Sequence, residues 1–218
     1  MKSVKTIHGG NKIIAGSVIS STVLLSFIFS SVFFNNEPSI DKEAFAAISP
    51  YIASGTTRVM TFISFLGKHS FLIPANLLLI LVFMLLKKKW MAVRVVLISL
   101  SSLGLMSLLK NLLKRQRPPD PLIEGITNFS FPSGHAFMSM AFYGLLIWFT
   151  IVSSKNKWQK NSIIIFLSAL ILAISFSRIY LRVHYATDVV AGLLIGFLWL
   201  IACLFIIQKI ESRFINKS

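Results

Sequence analysis

The sequence predicts an all-α polytopic membrane protein, one compact domain with six transmembrane helices, and three observations predict it. Hydrophobic residues fill 55% of the 218 positions and charged residues only 13%, about half the charged share of a soluble domain. The mean hydropathy is +0.77. The apolar residues also gather into six runs on the scale of a membrane helix, for which roughly 20 residues at about 1.5 Å each cross a ~30 Å hydrocarbon core.

Residues 1–12 carry Lys2, Lys5 and Lys12 and read as a cytoplasmic tail. The run 13–34 is too long for a signal-peptide core and lacks a small-x-small cleavage site followed by a soluble domain, so it reads as the first span. The segment 35–70 is different, with mixed polarity and breakers at Pro38, Pro50, Gly55 and Gly67. It predicts two short amphipathic pieces, 41–48 and 57–66, lying on the membrane surface. A second span, 71–86, ends in Lys87, Lys88 and Lys89, and a minimal link leads to the third, 91–109. A polar loop, 110–131, separates these from the spans 136–152, 163–176 and 189–207. Gly192 and Gly196 form a small-xxx-small pattern that allows close helix packing. The six-helix domain covers 13–208, and 209–218 is a second cytoplasmic tail.

Charge sets the topology. The formal charge is +15, from 22 Lys and Arg against 7 Asp and Glu. A basic balance points to nucleic acid or to an anionic membrane. Here the basic residues mostly flank apolar runs, which favours topology and anionic lipid and makes nucleic acid a poor explanation. Lys and Arg at the N-terminus, 87–94, 155–160 and 209–217 fall on one side, so the positive-inside rule puts both termini in the cytoplasm. Lys110, Lys114, Arg115, Arg117, Arg178 and Arg182 then crowd two places on the outer side, where orientation does not require them. An anionic substrate is the simplest demand that would put them there. Cys203 is the one cysteine, so the chain builds neither an internal disulfide nor a thiolate metal site.

Three clusters carry the chemistry. Stretch 177–188, Ser-Arg-Ile-Tyr-Leu-Arg-Val-His-Tyr-Ala-Thr-Asp, sets polar groups between two apolar runs. On a helix His184 and Asp188 share a face, where the carboxylate can accept the imidazole N–H and leave the other ring nitrogen free to act. Such a cluster at a bilayer edge is either a functional site or an interfacial anchor whose arginines snorkel. Lys110 with Arg117-Pro118 offers a point charge and a planar fork for phosphate oxygens, though juxtamembrane basic clusters also bind headgroups or set topology. In Pro132-Ser133-Gly134-His135, turn and cap explain the first three residues as well as an anion site at a helix start does. They do not explain His135, a proton donor well placed beside a phosphate. His8 and His69 read as surface residues. The six other acids, Glu37, Asp41, Glu43, Asp120, Glu124 and Glu211, fall in loops or the tail, and one carboxylate, Asp188, cannot build a two-metal site. Together the clusters fit phosphoryl transfer through a covalent histidine intermediate.

Lys-x6-Arg-Pro at 110–118, Pro-Ser-Gly-His at 132–135 and Ser-Arg-x5-His-x3-Asp at 177–188 resemble the three-part signature of the type 2 phosphatidic acid phosphatase superfamily. No signature position is missing, and the six-span layout extends the resemblance over nearly the whole chain. It is most similar to small bacterial members of the phosphatidylglycerophosphatase B type. The resemblance implies a core similar to the vanadium haloperoxidases and a lipid phosphatase of the bacterial plasma membrane, with no metal or other cofactor. Its site would face outward, in loops around 110–135 and 177–188. His184 would be the nucleophile, Asp188 its orienting carboxylate and His135 the general acid. Lys110, Arg117, Ser133, Gly134 and Arg178 would hold the phosphoryl oxygens. Arg182, Lys114 and Arg115 lie outside the signature and are left to headgroup attraction or packing. Phosphatidylglycerophosphate is the expected substrate, with undecaprenyl diphosphate as the alternative. A transporter is a third reading, but it would place polar residues mid-membrane, whereas here they sit at the ends of the spans.

Overall fold

The computed structural model describes residues 8–34, 38–154 and 156–215. Lys2, Lys5, Glu37, Lys155 and Lys217 lie outside them. The chain forms α1 (His8–Phe34), α2 (Ser39–Ile48), α3 (Ser54–Phe65), α4 (His69–Leu85), α5 (Lys89–Leu113), α6 (Gly134–Ser153), α7 (Lys157–Tyr180) and α8 (Ala186–Ile215). There is no strand among the described residues. Six stretches among the described residues are long and apolar enough to cross a membrane, and the second of them, Ser54–Leu85, takes in both α3 and α4.

Among the described residues a helix forms at each of the six expected spans and at both short amphipathic pieces, with shifted ends. The third span continues to Leu113, so Lys110 stands in the last turn of a helix and not in the loop that follows. Lys114 ends that helix with a left-handed φ of 44°, a conformation in which the chain leaves the helix axis at once. The sixth span continues to Ile215, so residues 209–215 extend the helix where a separate tail was expected. Glu211 is accordingly a helical residue that meets Arg94 of α5 at 2.5 Å.

Helix α6 is the central element, packed against α7 on one side and α8 on the other. Its Phe137 and Leu145 are fully buried. The two glycines of α8 explain how near α6 comes. A Cβ on Gly192 would lie 2.6 Å from the Ser133 carbonyl oxygen, and one on Gly196 would lie 2.9 Å from that of Phe137. Lipid is as apolar as the helix surfaces, so such backbone proximity, and the dispersion contacts it permits, must stand in for the hydrophobic effect. Val95, Ile98, Ala141, Leu145, Phe149, Leu200, Leu204 and Ile207 fill the space between α5, α6 and α8.

At the opposite end of the bundle α2 and α3 cover the site. Ile48, Ile52 and Met60 pack with Leu122, Ile123 and Ile126 of the loop against Tyr180, Leu181 and Val183. The C-termini of α5 and α7 and the N-termini of α6 and α8 all meet beneath this cover.

Candidate active site

The turn from α7 into α8 delivers the nucleophile candidate. After Tyr180 the chain takes a left-handed step at Arg182, with φ 52°. The N–H groups of Val183 and His184 both donate to the Arg178 carbonyl, at 3.2 and 3.3 Å. This closure fixes His184 in the turn, outside either helix, while Asp188 sits in the first turn of α8. The shared helix face that the spacing suggests therefore does not form. Nδ1 of His184 is 3.6 Å from Oδ2 of Asp188, just beyond direct hydrogen bonding. Ser130 spans the gap, its hydroxyl donating to Asp188 Oδ2 while its oxygen lies 3.3 Å from His184 Nδ1.

These directions set the tautomer. The Ser130 proton is committed to the carboxylate, so its oxygen accepts from Nδ1–H, and Nε2 carries the lone pair. Nε2 faces Arg117 Nη1 at 3.3 Å. His184 is 2% exposed and Asp188 0%. Burial pushes the His184 pKa down to about 3, with Asp188 pulling upward against it and Arg117 and Lys110 adding to the fall. An imidazole shifted this far stays uncharged at physiological pH.

Three cations from three elements surround the site, and one of them, Arg117, meets that nitrogen directly. Arg117 spends every N–H on the protein, with Nε on the Asn128 carbonyl at 2.6 Å and Nη2 on Asn128 Oδ1 at 2.5 Å and on Phe129 O at 3.3 Å. Its Nη1 serves the Val183 carbonyl and His184. Burial holds the Arg117 pKa below its ordinary value, against the pull of Asp188. Lys110 reaches the Phe129 carbonyl at 2.5 Å. Arg178, 3% exposed, donates through Nη1 to Ser64 of α3, while its Nε has no hydrogen-bond partner. Ser133 caps nothing with its hydroxyl, which is buried and likewise without a partner. Its N–H is committed to the Asp188 carbonyl at 3.0 Å, so Ser133 offers a ligand its side chain and not its amide. Gly134 lies beside Lys110, close enough that an added Cβ would be 3.6 Å from Cε. His135, half-buried at the start of α6, is electrostatically coupled to Arg178, His184 and Arg117. His69 is exposed as expected, yet it is also within electrostatic reach of His135.

All eight residues singled out by their spacing thus gather at one end of the bundle. The structure adds four groups that no spacing marked: Ser130, Asn128, Ser64 and Asp41. It also corrects one reading: Asp41 is not a loop residue but a buried member of α2, 3% exposed, so Asp188 is not the sole acid near the site. Arg115, left to headgroup attraction or packing, is held inside by Asp188 at 2.5 Å and Asp41 at 2.8 Å. Only Ser130 carried a usable signal, since it directly precedes the Phe131-Pro132-Ser133 turn. Arg182 does pack as expected, against Ser49 at 2.7 Å and over the Phe45 ring, and Lys114 is exposed.

A bundle of six membrane-length helices with a buried histidine among cations at one end defines the class, a multi-pass membrane protein with a candidate anion site. Residues 91–212 match the PAP2 superfamily, and the chain belongs to that family. It is 28% identical over 178 residues to phosphatidylglycerophosphatase B of Bacillus subtilis (strain 168), across 81% of this chain and 85% of that protein. Its fold matches the crystal structure of a transmembrane PAP2 type phosphatidylglycerolphosphate phosphatase from Bacillus subtilis with a TM-score of 0.79. That match has 24% identity and covers 90% of this chain and 96% of the other. The crystal structure of Aquifex aeolicus LpxE matches with a TM-score of 0.56 and 25% identity, over 78% of this chain and 98% of that one.

Proposed function

We propose that the protein hydrolyses the phosphomonoester of phosphatidylglycerophosphate, or of a closely related lipid phosphate, through a phosphohistidine and without a metal ion. One observation carries the reading: His184 is buried, with Nδ1 tied through Ser130 to Asp188 and Nε2 turned toward Arg117. Nε2 attacks phosphorus and the bond to the lipid oxygen breaks as His135 gives that oxygen a proton. A water then attacks the phosphohistidine, returning a proton to His135, and the P–N bond breaks to release phosphate.

The residues that bind the transferring group follow from their unmet hydrogen bonds. Arg178 Nε and Ser133 Oγ are buried polar atoms without partners, a state that a phosphate oxygen relieves. Lys110 and Arg117 exchange their carbonyl acceptors at 128–129 for phosphate oxygens, and Gly134 lets the ligand approach the start of α6. Their combined charge stabilises the transition state as a bound metal does elsewhere. Among the described residues no three His, Cys, Asp or Glu side chains gather as metal ligands.

The relatives' names supply the preference for phosphatidylglycerophosphate. Undecaprenyl diphosphate is the second reading, favoured by charge at the far end of the bundle. Lys87, Lys88, Lys89, Lys157, Lys160, Lys209 and Arg213 all lie opposite the site, which supports cytoplasmic termini and an outward-facing site in a bacterial plasma membrane. The test is acid-quench trapping with radiolabelled lipid phosphate in EDTA, alongside kcat/KM for both lipids. The reading predicts an acid-labile, base-stable phosphoenzyme in wild type and none in His184→Ala. Activity that vanishes in EDTA and returns with Mg²⁺ overturns the metal-free mechanism.

A further inference from the structure

We propose that Arg115 and Asp41 are positioning residues for the His184–Asp188 pair, forming a buried charge relay in which one guanidinium is shared by two carboxylates. Arg115 Nη1 donates to Asp188 Oδ1 at 2.5 Å and to Thr187 Oγ1 at 2.8 Å, while Nη2 donates to Asp41 Oδ2 at 2.8 Å. Asp41 is itself held by α8, its Oδ1 accepting from the Thr187 N–H at 2.9 Å and its Oδ2 from the Thr187 hydroxyl at 2.8 Å. The guanidinium carbon lies 4.1 Å from the centre of the Tyr185 ring. The side chains of Arg115, Asp41 and Asp188 are 13%, 3% and 0% exposed, so water screens these charges little.

The division of labour on Asp188 carries the argument. Arg115 occupies Oδ1 alone, and Oδ2 is left to Ser130, to the Tyr185 N–H at 3.0 Å and to His184. With its rotamer fixed from behind, the carboxylate presents a single oxygen to the imidazole side. Burial works against the charge of Arg115, but Asp188 and Asp41 outweigh it and raise its pKa. The relay therefore holds one cation and two anions, a net charge of −1 facing His184. That surplus negative charge stabilises the positive imidazole ring as its bond to phosphorus forms.

Removing either outer member shifts the surplus in opposite directions. Without Arg115, two carboxylates share a buried site and one of them takes up a proton. A proton on Asp188 deprives His184 of its anion until the pH rises far enough to remove it. Without the charge on Asp41, Arg115 neutralises Asp188 alone and the surplus is lost. The other charged and titratable groups around the pair come from every neighbouring element: Lys110 of α5, Arg117 of the loop, His135 of α6, Arg178 of α7 and Tyr185 of the turn. They are the same in all variants below.

The inference rests on His184 being the nucleophile, so the experiment pairs phosphoenzyme trapping in wild type with pH–rate profiles of the variants and a thermal-unfolding check. Arg115→Met should lower kcat about 100-fold at pH 6, with the acid limb moved up by at least one pH unit. The double variant Arg115→Met/Asp41→Asn should return the limb to its wild-type position, because it restores the net charge of −1. Arg115→Lys should keep the limb in place with a loss of about tenfold or less. Asp41→Asn should lower kcat about tenfold with KM within twofold and no upward move of the limb, and it keeps the test alive if Arg115→Met does not fold. A wild-type acid limb in Arg115→Met, a double variant with the limb of the single one, or Asp41→Asn changing KM alone would each overturn the relay. Failure to trap a phosphoenzyme in wild type would overturn the nucleophile assignment instead.

Discussion

Two buried arginines, at opposite ends of the same bundle, show what distinguishes a working charge from a structural one. Arg94 pairs with Glu211 at 2.5 Å and lies 5.0 Å from the Trp148 ring centre. Arg115 pairs with Asp188 and Asp41 and lies over Tyr185. The chemistry is nearly identical: a guanidinium, a carboxylate and an aromatic face in a place water barely reaches. The difference lies in what the carboxylate does next. Among the described residues Glu211 has Arg94 as its one side-chain partner, and the pair ties α5 to α8. Asp188 passes its charge on through Ser130 to a histidine. Burial of charge marks an expensive site, and only its neighbours say whether that expense serves packing or reaction.

The comparison breaks first at the histidines. His184→Ala should cost at least about 10⁴-fold in turnover, as loss of a nucleophile does, while Arg94→Leu leaves turnover per folded molecule within about threefold. His135→Ala should be as inactive as His184→Ala on lipid phosphate. An aryl phosphate, whose leaving group needs no proton, should partly rescue His135→Ala alone. Phosphate release from detergent-purified protein checks all three, and equal rescue of both histidine variants would overturn the role assignment.

Arg178 comes next in size. An ammonium cannot reproduce the two-point grip of a guanidinium, so Arg178→Lys should lose about 100-fold in kcat/KM. Vanadate, whose trigonal-bipyramidal form mimics the transition state, should inhibit wild type competitively and the variant far more weakly. Retained vanadate affinity in Arg178→Lys would remove Arg178 from the phosphoryl cup.

At the other end the loss should be in stability. Arg94→Leu leaves Glu211 partly buried without its cation and should destabilise the fold by about 3 kcal/mol. Adding Glu211→Gln should recover most of it. Thermal unfolding in detergent reads this, and an activity loss without a fall in Tm would make Arg94 functional after all.

The smallest effect sharpens the picture of His184 as a buried neutral ring. Its pKa is about 3 in the folded chain and about 6.5 when unfolded, so the unfolded state takes up the proton first. The stability this group confers is fully present above pH 6.5 and is lost as the pH falls from there toward 3. His184→Gln should have a flatter dependence of Tm on pH over that window. For the same reason, protonation of His184 should produce no acid limb in kcat/KM between pH 7 and 5.

Much of this protein was determined by the sequence alone. Six apolar runs between basic clusters specify a helical bundle, because a chain in hydrocarbon must satisfy its backbone within each helix. The spacing of Lys110, Arg117, Ser133, Gly134, His135, Arg178, His184 and Asp188 marked the residues that later meet, since each cluster sits at a helix end and the ends must share a membrane face. The tertiary structure alone decided how they meet. It placed His184 in a left-handed turn instead of on a helix with Asp188, and put Ser130 between them. It also folded α2 and α3 over the site, so that Asp41 and Ser64, from a segment that read as a surface appendage, reach arginines 74 and 114 residues away. Such contacts leave no periodic trace in the sequence, because they depend on where a loop closes and not on which residue recurs. The same limit hid Arg115, one basic residue among several at a helix end until its two carboxylate partners were in place.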